Sequence, residues 1–334
     1  VKHVLVTGGL GFIGSAFVRQ ALTERDWHVT VLDAMTYAAN PANVAAVSSD
    51  PRYAFVHGDI CDAAAVRQAI GRGVDAIVNF AAETHVDRSI LDPAAFIRTA
   101  AIGTHILLEA AREHAVGRFL QVSTDEVYGD VEGGSSTERD PLRPRSPYAA
   151  SKAGADLQVL AHHATYGMAV LITRGSNTYG PYQYPEKLVP LFVTNLLDDQ
   201  TVPMYGDGLQ VRDWLHVEDH ARGVLHVLEH GTIGEAYNLG GGNSRTNREI
   251  TEQLLAHTGR SWDSHVRHVR DREGHDRRYS LDASKARALG WSPRHPFEAG
   301  LAATVAWYRD NEAWWRPIKS GEFRAYYERQ YAHR

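Results

Sequence analysis

A glycine-punctuated turn near the start of the chain, Gly8-Gly9-Leu10-Gly11-Phe12-Ile13-Gly14, limits the fold more than any other stretch. It follows a short β-branched run, Lys2 to Thr7, and opens an amphipathic stretch reaching about Arg25. Strand, glycine turn and helix in that order are the setting in which backbone N–H groups cradle a nucleotide phosphate at a helix N-terminus. Gly8 and Gly11 let the backbone turn tightly and approach a pyrophosphate, and Gly14 lets the helix lie close to the sheet.

The pattern then repeats. His28 to Leu32 reads as a second strand, and Asp33 at its end stands where a carboxylate binds adenosine ribose hydroxyls and repels a 2′-phosphate, favouring NAD over NADP. Tyr53 to His57 is a third strand, closed by Gly58-Asp59-Ile60, with Asp62 to Ile70 helical behind an Asp cap; Asp59 is equally a turn residue. Val74 to Phe80 is a fourth, running into Ala81-Ala82-Glu83-Thr84-His85-Val86-Asp87-Arg88-Ser89, whose small residues let a flat cofactor pack close while Thr84 reaches cofactor or substrate. Asp92 to about His114 is a long helix with apolar residues on more than one face. Phe119 to Ser123 is a fifth strand, Tyr148 to Tyr166 a helix and Ala169 to Thr173 a sixth strand. Strands alternating with helices predict a Rossmann-type, doubly wound parallel sheet.

After Arg174 the texture changes to Gly, Pro, aromatics and amides through Leu188, suited to a polar ligand or to an interdomain linker. Val217 to His230 reads as a helix and Ala236 to Leu239 as a strand returning to the main sheet. The expected division is an NAD-binding domain from residues 1–175 plus about 206–240, and a smaller, mixed substrate domain from about 176–205 plus 241–334. Trp307, Trp314 and Trp315 in the tail pack onto that second domain.

Composition narrows the function. With 35 Lys+Arg against 40 Asp+Glu, the chain lacks the basic excess of a nucleic-acid binder, so an anionic ligand must be held by local groups. One cysteine, Cys61, cannot form an internal disulfide or a cysteine zinc site, the histidines show no metal-binding spacing, and no metal is expected. No apolar run approaches the ~20 residues of a membrane span. A cytoplasmic, soluble protein is the expectation.

The chemistry concentrates in Thr124-Asp125-Glu126-Val127-Tyr128-Gly129 and Ser146-Pro147-Tyr148-Ala149-Ala150-Ser151-Lys152. A strand ending in Ser-Thr delivers polar groups where ligands bind in open α/β sheets. Pro147 suits a first helical turn, so Tyr148 and Lys152 share a helix face, and an ammonium beside the phenol should favour phenolate. Adjacent acids on a continued strand would point apart, so a turn or helical start is expected at Thr124 to Glu126.

These motifs resemble the extended short-chain dehydrogenase/reductase family, and within it the dTDP-glucose 4,6-dehydratases. Pro185-Glu186-Lys187-Leu188, Arg212-Asp213-Trp214 and Gly274-His275-Asp276 extend the resemblance, which runs from Val4 to about Trp315. It implies that Gly8, Gly11, Phe12, Ile13, Gly14, Asp33, Ala34, Met35, Thr36, Asp59 and Ile60 hold NAD, with Phe80, Ala81, Ala82, Thr84, Thr99, Tyr148, Lys152 and Thr178. It also implies that Thr84, Thr124, Asn177, Lys187, Leu188, Pro203, Met204, Tyr205, Arg212, Asn247, Arg272 and His275 contact a nucleotide sugar. A homodimer joined through the helices containing Leu107 and Leu157 is implied too.

The expected reaction turns dTDP-glucose into its 4-keto-6-deoxy product and water. Tyr148, supported by Thr124 and Lys152, serves C4 oxidation, Glu126 removes the C5 proton, Asp125 protonates the departing 6-hydroxyl, and hydride returns to C6. A dehydratase for UDP or CDP sugars and a 4-epimerase are the alternatives. Ala100, Thr178 and Glu273 depart from the family pattern, and Glu273 adds negative charge beside the presumed diphosphate site.

Overall fold

The computed structural model describes residues 1–71, 73–320 and 322–331; residues 72, 321 and 332–334, which the expected domain segments include, lie outside the described residues. The first half runs β1 (His3–Thr7), α1 (Phe12–Glu24), β2 (His28–Asp33), β3 (Tyr53–His57), α2 (Ala63–Ile70), β4 (Ala76–Asn79), α3 (Val86–Leu91), α4 (Pro93–Ile97), α5 (Thr104–Glu113), β5 (Arg118–Thr124), α6 (Pro147–Tyr166) and β6 (Val170–Gly175). Then follow β7 (Asn177–Tyr179), α7 (Leu188–Leu197), β8 (Val202–Tyr205), β9 (Val211–His216), α8 (Val217–His230), β10 (Ala236–Leu239), β11 (Ser244–Thr246), α9 (Asn247–Thr258), α10 (Trp262–His265), β12 (Val266–Val269), α11 (Ser284–Ala288), α12 (Phe297–Asp310), α13 (Glu312–Trp315) and α14 (Glu322–Tyr331).

Seven parallel strands form the main sheet in the order β10-β6-β5-β4-β1-β2-β3, so β10 joins the six expected strands. Central strands covered on both faces are apolar along their length. In β1, Val4 and Val6 enter the core under α1 and α8, while Leu5 enters the opposite one, with Val66 of α2, Leu107 of α5 and Val159 of α6. The chain reverses its winding between β1 and β4, and the carboxyl ends of those strands open a crevice there.

The end signals of α6 work as the sequence suggests. Ser146 Oγ accepts the Ala149 N–H at 3.1 Å, Pro147 holds the first helical position, and Gly167 ends the helix with φ 68°. The long helix expected from Asp92 is instead α4, a π-helical stretch Arg98–Gly103, and α5. Together these give Pro93–Glu113, 21 residues that by length and composition could span a membrane. That corrects the expectation that no segment approaches this length. Leu107 and Leu108 are fully buried in the sheet's core, as in the core helix of a globular protein, while Ile97 and Ile102 remain exposed.

The return to the main sheet begins at α8. β9 instead pairs with β7 and β11 in a small sheet, and β8 pairs with β12. These strands, α7, α9 and α12 enclose a separate core containing Phe192, Trp214, Leu254, Phe297 and Trp315. Trp307 and Trp314 pack against it.

Candidate active site

The glycine turn is closed to side chains. Gly8 has φ +66°, and a Cβ there would lie 2.7 Å from Ala81 N; at Gly14 it would lie 2.3 Å from Gly8 O. The loop thus packs backbone to backbone with the end of β4 and leaves a cavity of about 360 Å³ above it. Gly8, Gly11, Phe12, Ile13 and Gly14 line its floor, Asp33, Ala34, Thr36, Asp59 and Ile60 one end, and Phe80, Ala81, Ala82, Thr84, Thr99 and Thr178 its walls. Asp33 is fixed by N–H groups, Leu10 to Oδ2 at 3.0 Å and Met35 to Oδ1 at 2.8 Å. Burial raises its pKa and those bonds oppose the rise. Met35 contributes only that N–H: its side chain is exposed and does not line the cavity. A glycine floor, a buried carboxylate at one end and flat apolar walls fit a dinucleotide.

At the other end β5 stops at Thr124, which caps a 3-10 turn, Asp125–Tyr128. The Thr124 hydroxyl accepts the Glu126 N–H at 3.3 Å and donates to Asp125 Oδ1 at 3.2 Å. The turn expected at this point brings both carboxyls into the same cavity. Burial raises both pKa values, but their surroundings differ. Glu126's charge pushes Asp125 further, well above the usual carboxylate range, against the pull of Arg212. Arg272, Lys187 and Arg212 hold Glu126 back. Unequal neighbours therefore make Asp125 the more readily protonated of the two.

Tyr148 and Lys152 line the same space. The expected lowering of the phenol pKa by Lys152 is not what the structure gives. Burial and the Glu126 charge raise Tyr148 far above its ordinary value, and only a hydrogen bond with Thr124 notably opposes them. Lys152 donates its Nζ to the Val122 carbonyl at 2.6 Å, and burial brings its pKa down to about 8 against the upward pull of Asp156. One turn of helix places the pair together, but low polarity outweighs the cation.

A second cavity of about 140 Å³ adjoins the first, and both are lined by Glu126, Asn177, Glu186, Lys187, Leu188 and Trp214. Lys187 is anchored by donating to the Thr84 carbonyl at 2.5 Å. Pro203, Met204, Tyr205, Arg212, Asn247, Arg272 and His275 line the second cavity. Arg212 pairs with neither Asp213 nor Asp219: it lies over the Tyr279 ring and donates to the carbonyls of Val211 and Asp276. Arg272 Nε is buried without a hydrogen-bond partner among the described residues. Two guanidiniums with donors to spare suit a diphosphate. Glu273 is exposed and outside this lining. Thr178 donates to, or accepts from, His220 Nδ1 at 2.7 Å, and Ala100 is buried in the π-helical stretch beside Thr99.

Several lining residues carry no signal of their own in the sequence. Glu186 follows a proline in a quoted motif, yet nothing there shows that it accepts from Tyr37 at 2.9 Å and Arg88 at 2.8 Å. His85, Phe192, Tyr279 and Tyr331 come from four distant segments that meet only in the folded chain.

The sequence pattern of the family described as GDP-mannose 4,6 dehydratase matches residues 5–304. The chain belongs to that family. A dTDP-glucose 4,6-dehydratase from Streptomyces niveus is 55% identical over 324 residues, 95% of this chain and 96% of that protein. The crystal structure of the dTDP-glucose 4,6-dehydratase DesIV from Streptomyces venezuelae, solved with NAD and a second ligand, superposes with TM-score 0.93 at 57% identity, covering 95% of this chain and 100% of that one. A UDP-glucose 4-epimerase from Thermus thermophilus, in complex with NAD, gives TM-score 0.86 at 32% identity over 92% and 99% of the two chains. The fold is therefore shared by dehydratase and epimerase, and the side chains of the site must separate them.

Proposed function

We propose that this chain is an NAD-dependent dTDP-glucose 4,6-dehydratase, releasing dTDP-4-keto-6-deoxyglucose and water. The observation that carries the reading is the Asp125–Glu126 pair, turned into one cavity with unlike surroundings. Inversion at C4 has no use for such a pair; elimination across C5 and C6 needs an acid and a base at once.

NAD, when bound along the glycine floor, supplies the oxidant at C4 and later the reductant at C6, and its pyridinium charge favours the Tyr148 phenolate. Tyr148 takes the proton of the 4-hydroxyl, with Thr124 as its hydrogen-bond partner and Lys152 held beside it. The 4-ketone so formed weakens the C5–H bond. Glu126 removes that proton, and Asp125 gives its own to the 6-oxygen, which leaves as water; when C6 is then reduced, Glu126 returns a solvent-exchangeable proton to C5. Lys187, Arg212 and Arg272 hold the diphosphate, and Asn177 and Leu188 line the boundary between the cavities.

The reading includes a homodimer. Ile97, Ile102, Leu157 and Tyr166 are more than half exposed on the α4–α5 and α6 surface, an apolar face suited to a second copy. Leu107, on one of the same helices, is buried in its own subunit and takes no part in that face.

Incubation with dTDP-glucose in deuterated water tests the reaction. Deuterium at C5 and an alkali-labile 4-ketone lacking the 6-hydroxyl are expected. Recovery of a C4 epimer with neither change would make the chain an epimerase, and faster turnover of UDP- or CDP-glucose would reassign the base.

A further inference from the structure

The C-terminal helix α14 is polar along most of its length, yet Phe323, Tyr326, Gln330 and Tyr331 are almost completely buried. Their spacing puts them on one helical face. Each is held at the double cavity or beside it. Phe323 packs edge-on against Tyr184, a residue lining the larger cavity. The Tyr326 hydroxyl meets His85 Nδ1 at 3.1 Å, and its ring sandwiches the Arg88 guanidinium with Tyr37, at 4.1 and 3.8 Å. Arg88 in turn pairs with Glu186, in the wall common to both cavities. Gln330 Nε2 donates to the Tyr205 hydroxyl at 3.1 Å, and Tyr205 donates to the Tyr331 hydroxyl at 3.4 Å.

Of these four, Tyr331 lines the smaller cavity itself. That cavity divides by chemistry. Arg212 and Arg272 supply donors for phosphate oxygens, whereas Phe192, Met204, Tyr205 and Tyr331 supply flat, polarizable surface for an aromatic heterocycle. We propose that α14 forms the wall of the nucleobase end of the substrate site, with Tyr331 contacting the base and Gln330 acting as a positioning residue that fixes Tyr205. The proposal deepens the dehydratase reading and rests on it.

Tyr331→Ala, Tyr331→Phe and Gln330→Ala holoenzymes are compared with wild type for dTDP affinity by calorimetry and for KM and kcat on dTDP-glucose. Tyr331→Ala is expected to weaken dTDP and raise KM by about 10-fold or more, with a smaller change in kcat, and to narrow the preference for dTDP over UDP. Tyr331→Phe keeps the ring and recovers most of the affinity; Gln330→Ala gives a loss of about 3-fold. Should Tyr331→Ala fail to fold, Gln330→Ala decides. A dissociation constant and KM within about 2-fold of wild type in folded Tyr331→Ala, or in Gln330→Ala where Tyr331→Ala does not fold, overturn the proposal. Wild type that binds dTDP but does not dehydrate dTDP-glucose overturns the reaction assigned above instead.

Discussion

Asp125 and Glu126 are sequence neighbours, yet each buries one carboxylate oxygen, Oδ2 and Oε2, that has no hydrogen-bond partner among the described residues. Buried oxygens of this kind are costly unless a ligand completes them. Both residues line the same cavity, so a bound sugar is their natural partner. Replacing Glu126 by Gln keeps the shape and removes the base. Turnover is expected to fall by about 10²- to 10⁴-fold, and exchange of the C5 hydrogen with deuterated solvent, followed by NMR, should fall with it. Exchange at the wild-type rate would remove Glu126 from that role.

The same pair sets a pH dependence. In the proposed elimination Glu126 must be ionised, and its raised pKa places the loss of activity on acidification above the ordinary carboxylate range. Asp125 must be protonated, and its larger rise keeps it so as pH increases, until activity falls on the alkaline side. A bell-shaped kcat profile is expected, reporting macroscopic values of the coupled pair. Asp125→Asn should be slower throughout and lack the alkaline limb.

How far the sequence discloses this site depends on the distance over which each signal acts. The glycine turn, the Asp33 carboxylate, the Ser146 cap and the Thr124 turn are local and could be read directly. The sign of the Tyr148 shift could not, because it depends on burial by residues remote in sequence and on a charge, Glu126, that meets it only in the fold. Arg212 shows the same limit: its guanidinium lies over Tyr279, not against the aspartates nearest in sequence. Tyr331 is the extreme case, since nothing in a polar terminal helix announces which of its residues reaches a cavity.

Cofactor retention should hinge on the glycine floor. A Cβ at position 14 would lie 2.3 Å from the Gly8 carbonyl oxygen and 3.1 Å from Gly9 Cα, both backbone atoms that cannot swing aside. Gly14→Ala must therefore displace the phosphate loop. Purified Gly14→Ala is expected to carry less than about a tenth of the wild-type NAD per chain, measured after acid release, while the far-UV dichroism of the sheet is kept. Full NAD content would show that the loop is not the phosphate cradle.

Oligomeric state has its own readout. Leu157 is 57% exposed on α6, amid the apolar face proposed to meet a second copy. Leu157→Glu leaves the subunit core untouched and sets like charges against each other across a two-fold axis. Sedimentation should show monomers where wild type gives dimers. If wild type itself sediments as a monomer, the homodimer is wrong.

Stability should be sensitive at Arg174, whose Nε donates to Asp156 at 2.9 Å and whose Nη1 donates to the Tyr128 hydroxyl at 2.8 Å. Both charges are buried, Asp156 at 0% and Arg174 at 3% exposure. Removing one partner strands the other, so Arg174→Met is expected to lose about 3–5 kcal/mol in urea unfolding at neutral pH. The cost should shrink on acidification. Burial already raises the Asp156 pKa, and without the guanidinium that opposes this rise the carboxyl takes up a proton more readily. The stranded charge disappears as pH falls through that raised value, and with it much of the penalty. Asp156→Asn added to Arg174→Met should cost much less than the two single losses summed, because the buried charge left by the first change is then absent.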